Sequence, residues 1–387
     1  MTLAFWFSLA VLAATFAICA VVLGGWHRLR QLRDLPASLP ASPPRVSVIV
    51  AARNEERAIE AAARSLVAID YPALELIVVD DRSTDRTGEI LDRIHAEHPR
   101  LDVVHVRDLP PGWIGKNHAL HAGSQKATGD FLLFTDADVH YEPSALSRAV
   151  AYCEAKKLDH LTVVPDVTTP SGFVQFHTMG GFVGLLAQQR PWRAEKTGKH
   201  GLGVGAFNLV RSAAYRAAGG HATLALQVLD DIELGRMMGE GGRRQELMLA
   251  HGVIEIEMYA SAGEMIHGIQ KNAFTFLEYS VWYLIAATIL IFATSAWPWL
   301  GMLVTDGATR WINVASAALV TAFYFHLAPR FGYSPWCLLH LPLSGFVTIA
   351  LLWQIAIRTW VRGGIVWRGT FYPLKELVKA RRVPTGR

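Results

Sequence analysis

The stretch LLFTDADVH, residues 132–140, sets two carboxylates one residue apart at the end of an apolar run. Leu132, Leu133 and Phe134 read as a buried strand. Asp136 and Asp138 then raise each other's pKa unless a positive group lies between them. Mg2+ and Mn2+ commonly take one or two protein carboxylates together with substrate phosphates, so an Asp-X-Asp at a strand end suits such an ion. The tripeptide alone also suits a solvated turn. Two further acidic strand ends favour the ion: Asn54-Glu55 after the run at 46–50, and Asp80-Asp81 after LELIVV.

Other segments carry chemistry of their own. In PPGWIGKNHAL a glycine loop runs into a helix pattern with Lys116 near its start, which makes an anion site of the lysine and the free N–H groups. It lacks the GxxxxGK[ST] spacing of a Walker A loop. QVLDDIELGRMM places Asp230, Asp231 and Glu233 ahead of a helix, more acid than a cap needs, and one of them is a candidate general base. Asp80 or Asp81 could cap the helix that follows, with the other free to accept bonds from a base or ribose. Gly201, Gly203 and Gly205 suggest close approach of backbone to a ligand. His200 and His221 read equally well as site residues or as satisfied loop histidines.

These residues need a scaffold that brings strand ends together. Apolar β-branched runs at 46–50, 74–81 and 101–106 alternate with helix patterns at 58–67, after Ser83 or Thr84, and at 117–127. Such alternation predicts an α/β fold with a mostly parallel sheet, in which ligands bind beyond the C-terminal strand ends.

Around this segment the composition changes. Of 387 residues 51% are hydrophobic, and the excess is concentrated. No charge occurs from Thr2 to Trp26, a length that can span a bilayer, and apolar stretches recur at 279–305, 311–329 and 331–357. The division expected is an anchor at 1–26, a proline-bearing linker at 27–44, a globular domain at 45–265, a membrane region at 266–360 and a basic tail at 361–387. The uncharged MTLAF start, with His27, Arg28, Arg30 and Arg33 after the apolar run, predicts an uncleaved anchor in a bacterial-type plasma membrane, with the globular domain cytoplasmic. Arg and Lys in the tail argue for the same side, which requires one apolar stretch, 311–329, to be re-entrant or interfacial. The segment 173–193 reads as interfacial or as a buried helix. The net charge of +4 lies largely beside the apolar segments, which points to anionic lipid and away from nucleic acid. Three cysteines have no metal spacing.

Taken in order, VSVIVAARNEE, LIVVDDRSTDRT, GWIGKNHALHAG, LLFTDADV, GVGAFNLVR with AAGGH, and LDDIELGRMM resemble a membrane-bound family 2 glycosyltransferase of GT-A fold, and GWIGKNHAL, KNAF and the WRGTFYPL tail look closest to hopanoid-associated and carotenoid-type enzymes. The resemblance covers about residues 45–240. It implies a nucleotide-sugar donor, usually a UDP-sugar, inversion at the anomeric carbon, and Mg2+ or Mn2+. It assigns the uracil-ribose site to Asp81, with neighbouring Asp80, and to the Ala51–Glu55 loop containing Arg53 and Asn54. Lys116 falls near the donor phosphates, Asp136 and Asp138 on the metal, and Asp231 at the base position, with Asp230 where the family has Glu. The QxxRW of processive members is missing; GIQKNAF at 268–274 is the nearest segment. The expectation is therefore a single transfer to a lipid acceptor. Polyprenyl-phosphate transfer, a processive polysaccharide synthase and a non-catalytic scaffold are the alternatives.

Overall fold

A computed structural model describes residues 1–194, 200–270 and 272–381. Lys271 of GIQKNAF and tail residues 382–387 lie outside the described residues. The chain divides into two compact units: one of Met1–His27, Thr169–Gln188 and Met258–Lys379, the other chiefly of Arg28–Thr168 and Gln189–Glu257.

The second unit is built on β1 (Arg30–Gln31), β2 (Val46–Ala52), β3 (Leu74–Asp81), β4 (Leu101–Val106), β5 (Phe131–Asp136), β6 (Val139–Tyr141), β7 (His160–Val164), β8 (Asp166–Thr168), β9 (Asn208–Arg211), β10 (Gln245–Leu249) and β11 (Ile254–Glu257). Among the described residues one eight-stranded sheet runs β1-β10-β7-β9-β5-β2-β3-β4, with β6, β11 and β8 in a smaller sheet. Every pairing in the large sheet is parallel except those of β9, which runs against β5 and β7. Val46, Val48, Ile49 and Val50 of β2 are buried, as the uninterrupted β-branched run predicts for a strand covered on both faces.

Register decides which polar residues meet. Ala51 lies opposite Asp136, Ala52 opposite Asp80, and Asp80 opposite His105. The polar ends of β2, β3 and β5 therefore share one edge, where open α/β sheets receive ligands.

Two boundaries differ from expectation. The helix expected from Ser83 or Thr84 begins at Thr87. Asp85 accepts the Thr87 N–H at 3.0 Å, while Ser83 Oγ accepts the Asn54 N–H at 3.1 Å and the Thr84 N–H goes to Asn54 Oδ1 at 2.8 Å. The hydroxyl near-neighbours bind the β2 loop, and the Asp85 carboxylate takes the first N–H of the helix instead. The helix expected at 117–127 runs Gly115–Lys126, which puts Lys116 in its first turn.

In the first unit four helices are long and apolar enough to cross a membrane: Leu3–Trp26, Val281–Val304, Gly307–Phe331 and Pro335–Arg362. The helix Gly172–Gln189 groups with them through Gln188. Phe176 lies 5.3 Å from Tyr324 and Phe182 5.6 Å from Phe331, ring to ring, so its apolar face packs on helix Gly307–Phe331.

Candidate active site

At the shared strand edge, four aspartates gather near one lysine. Lys116 Nζ lies 2.7 Å from Asp136 Oδ1 and 3.2 Å from Asp230 Oδ2. Burial by itself disfavours the ammonium, yet Asp136, Asp230 and Asp231 outweigh that and raise its pKa above the ordinary lysine value. Asn117, fully buried, fixes the lysine's helix against the chain leading to Asp230. Its Nδ2 donates to the carbonyls of Leu224 at 2.5 Å and Gln227 at 2.9 Å.

Asp231 lies beside this pair. Its Oδ2 accepts the Gly205 N–H at 2.9 Å and its Oδ1 the Ile232 N–H at 2.8 Å. Burial, then the charge of Asp230, pushes its carboxyl up to about 6 against the pull of Lys116. Asp138 is different again. Its Oδ1 is buried without a hydrogen-bond partner among the described residues. Burial, then Asp136 and Glu55, pushes it up to about 7. A narrow cleft is lined by Lys116, Asp136, Gly205, Asn208, His221, Asp230 and Asp231 among others.

These donors fit a hard divalent cation in type and charge. They are all oxygens, carry more negative charge than Lys116 cancels, and include an orphaned carboxylate oxygen on Asp138. Among the described residues no group of three His, Cys, Asp or Glu side chains surrounds a common point. A cation here would therefore draw its remaining ligands from substrate phosphates and water.

A second cluster sits at the end of β3. Asp81, 2% exposed, receives Arg82 Nε at 2.7 Å on Oδ1 and Arg82 Nη2 at 3.0 Å on Oδ2, with Arg53 Nη1 at 3.6 Å. Asp80 is used within the fold: Oδ1 accepts the Ser83 N–H at 3.3 Å and Oδ2 lies 3.0 Å from His105 Nδ1. Asn54 and Arg82 both have left-handed backbone, φ 54° and 55°, so the β2 and β3 ends turn sharply into the same edge. The Glu55 N–H donates to Thr87 Oγ1 at 2.8 Å.

Residues 47–217 match the sequence profile of glycosyl transferase family 2. That segment is a family 2 glycosyl transferase domain. Beta-monoglucosyldiacylglycerol synthase of Synechocystis is 35% identical over 139 residues, 35% of this chain and 28% of that protein. The 4,4'-diaponeurosporenoate glycosyltransferase of Staphylococcus haemolyticus is 25% identical over 230 residues, 59% of this chain and 60% of that one. Each match thus spans less than two thirds of the relative. The GT-A architecture is matched by a mannosyltransferase from Pyrobaculum calidifontis, solved with GDP-Man and Mn2+, at TM-score 0.55 and 21% identity over 92% of this chain and 99% of that one. At that identity the likeness concerns fold alone.

Within this family 2 domain, some expected residues play other parts. A Cβ at Gly201 would overlap the Gly235 carbonyl, and one at Gly203 the Asp231 carbonyl. Those two glycines admit the helix Asp230–Gly239 against the loop; Gly205 faces the Asp136 carboxylate. His200 is a satisfied loop histidine, with Nδ1 2.7 Å from the Gln189 carbonyl. His221 lines the cleft. Its Nδ1 lies 2.8 Å from the Tyr215 hydroxyl, and its Nε2 is buried without a partner among the described residues. Burial, then Lys116 and His121, pushes it down to about 3, so it is a neutral imidazole.

One network carried almost no sequence signal. His160, fully buried, has Nε2 at 3.0 Å from Asn208 Oδ1 and bonds Gln245 through Nδ1. Asn208 Nδ2 donates to the Val204 carbonyl at 2.8 Å, and Gln245 Nε2 to the Gly235 carbonyl at 3.1 Å. Three strands are thereby tied to the Gly203–Gly205 loop and the Asp231 helix. A polar residue opening each strand is the only trace of this in the sequence.

Proposed function

We propose that this protein is an inverting, non-processive hexosyltransferase that moves a sugar from a nucleotide-sugar, most simply a UDP-sugar, onto a hydroxyl of a membrane lipid. The observation that carries the reading is the half-buried Asp231 carboxylate, raised to about 6 and held by the Gly205 N–H beside the Lys116–Asp136–Asp230 cluster. Such a pKa lets a carboxylate be ionised at neutral pH yet basic enough to accept a proton.

In this reading Asp231 takes the acceptor hydroxyl proton while that oxygen attacks the sugar C1. The new C1–O bond forms as the C1–O bond to the diphosphate breaks on the opposite face. Lys116 holds Asp136 in place and meets negative charge developing on the departing diphosphate. Asp138 and Asp136 would hold Mg2+ or Mn2+, which supplies Lewis-acid neutralisation of that diphosphate when bound. Asp81, Arg53, Asn54, Glu55, Ala51 and Asp80 would line the nucleoside end. Asp81 is already drawn into place by Arg82.

A lipid acceptor is supported by the relatives named as a glucosyldiacylglycerol synthase and a diaponeurosporenoate glycosyltransferase, together with four helices able to cross a membrane. The proposed arrangement is a multi-pass plasma-membrane protein with its 45–265 domain on the cytoplasmic side.

The test is transfer of labelled sugar from a panel of nucleotide-sugars to extracted membrane lipids by the purified full chain. Lipid-borne label that requires Asp231 supports the reading. Normal transfer by Asp231→Asn overturns the base assignment, and a long polymeric product overturns the single-transfer reading.

A further inference from the structure

The helical unit carries a second polar site, at the end of helix Pro335–Arg362. There the chain turns through Gly363, φ 69°, into a hairpin of Gly364–Trp367 and Thr370–Pro373. The Leu374 N–H donates to the Gly363 carbonyl at 2.8 Å, which fastens the hairpin to the helix end. Between them lies an open, solvent-facing cavity lined by Gln270, Thr359, Arg358, Arg362 and the strand Gly364–Val366.

Arg358 and Arg362 stand one turn apart on the helix and are exposed. Neither guanidinium has an ion-pair or hydrogen-bond partner among the described residues. Arg64, Arg82 and Arg211 of the other unit, by comparison, each hold a carboxylate. Two unpaired forks on one cavity wall match a tetrahedral oxyanion, which each can meet with two parallel N–H donors. The Thr359 hydroxyl is spent on the Ile355 carbonyl at 2.9 Å, so Gln270 is the further neutral donor on that wall.

The surroundings say where the anion comes from. Val366 and Phe371 face each other across the hairpin, 53% and 49% exposed, and Val361 is 82% exposed. An exposed apolar cross-strand pair beside basic residues is costly in water and favourable at a bilayer surface. The site also ends a helix of 28 residues apolar enough to cross the membrane.

We propose that this cavity binds the phosphate of an anionic membrane phospholipid, with Arg358 and Arg362 as forked donors, Gln270 beside them, and the acyl chains against Val361, Val366 and Phe371. The site is separate from the aspartate cluster and does not depend on the transferase reading.

The test uses the full chain purified in detergent, with bound lipid counted by native mass spectrometry. The probes are phosphatidylglycerol, phosphatidylcholine of the same acyl chains, and soluble glycerol 1-phosphate. Wild type retains phosphatidylglycerol preferentially. R358Q/R362Q binds it about thirtyfold more weakly, each arginine near an anionic lipid contributing about fivefold. R330Q, at another helix end, behaves as wild type. Should the double glutamine variant unfold, R358K/R362K, which keeps charge and loses the fork, is expected between the two. Equal phosphatidylglycerol retention by the double variant, or equal retention of phosphatidylcholine by wild type, overturns the proposal. Displacement of lipid by equimolar glycerol 1-phosphate also overturns it, since the site then serves a soluble phosphate.

Discussion

Asp231 and Asp136 are joined through one residue, Gly205, whose N–H donates to Asp231 Oδ2 at 2.9 Å and whose carbonyl accepts the Asp136 N–H at 3.1 Å. The aspartate at the start of one helix is thus set relative to the aspartate at the end of a strand by the N–H and the carbonyl of one residue.

The first consequence concerns proton transfer. Asp231→Asn keeps the shape and removes the base, so kcat should fall by roughly 10²–10⁴-fold with UDP affinity nearly unchanged. In wild type the base works deprotonated, and its pKa is raised to about 6. The rate should therefore fall on acidification through about pH 6, instead of near the ordinary aspartate value of about 4. A pH profile of kcat/KM reads this directly; an acid limb near pH 4 would remove Asp231 from the role.

Lys116→Met tests the electrostatic frame. Lys116 favours the ionised form of Asp231, so its removal should raise that pKa and move the acid limb to higher pH. A variant whose activity drops while the limb stays in place would limit Lys116 to diphosphate contact.

Gly203 and Gly205 of the loop should separate cleanly. In Gly205→Ala the new methyl meets the Asp136 carboxylate, whereas in Gly203→Ala it meets the Asp231 backbone carbonyl. Gly205→Ala should lose activity at least tenfold with little change in thermal midpoint. Gly203→Ala should lose roughly 1–3 kcal/mol of stability by overpacking, seen as a lowered midpoint.

His160 makes a prediction about acid stability. Burial pushes its pKa down to about 4, with only partial relief from Asn208. The unfolded chain, with an ordinary histidine near 6.5, then binds more protons than the folded one. The stability its neutral form provides is present above about pH 6.5 and is lost as pH falls towards about 4, by roughly 3 kcal/mol over that range. Denaturant melts of wild type and His160→Gln at pH 7 and pH 5 should show a smaller pH effect in the variant.

Removal of divalent cations should abolish the thermal stabilisation that a nucleotide-sugar confers, and Asp138→Asn should do the same with metal present. Undiminished stabilisation in EDTA would take the cation out of donor binding.

Local chemistry made much of this legible. The apolar runs that break into Asn54, Asp80 and Asp136 announced strand ends, because a strand covered on both faces tolerates polar residues only where it emerges. Apolar length announced the four apolar stretches, although the basic tail pointed to 311–329 as re-entrant or interfacial; in the structure that stretch lies in Gly307–Phe331, long and apolar enough to cross. Asp136 and Asp138 posed an electrostatic problem that had to be met by positive charge. The tertiary structure decided how it is met: Lys116 already holds Asp136, and Asp138 keeps the orphaned oxygen. It also decided that Gly201 and Gly203 serve helix packing, and that Ser83 binds the β2 loop while Asp85 takes the first N–H of the next helix. It assembled His160, Asn208 and Gln245 from three strands. Periodicity and strand ends are properties of neighbours along the chain, and sequence carries them. The partners of Lys116 lie 20 and more than 100 positions away, and only the register of the sheet and the seating of its helices bring them within 3.2 Å.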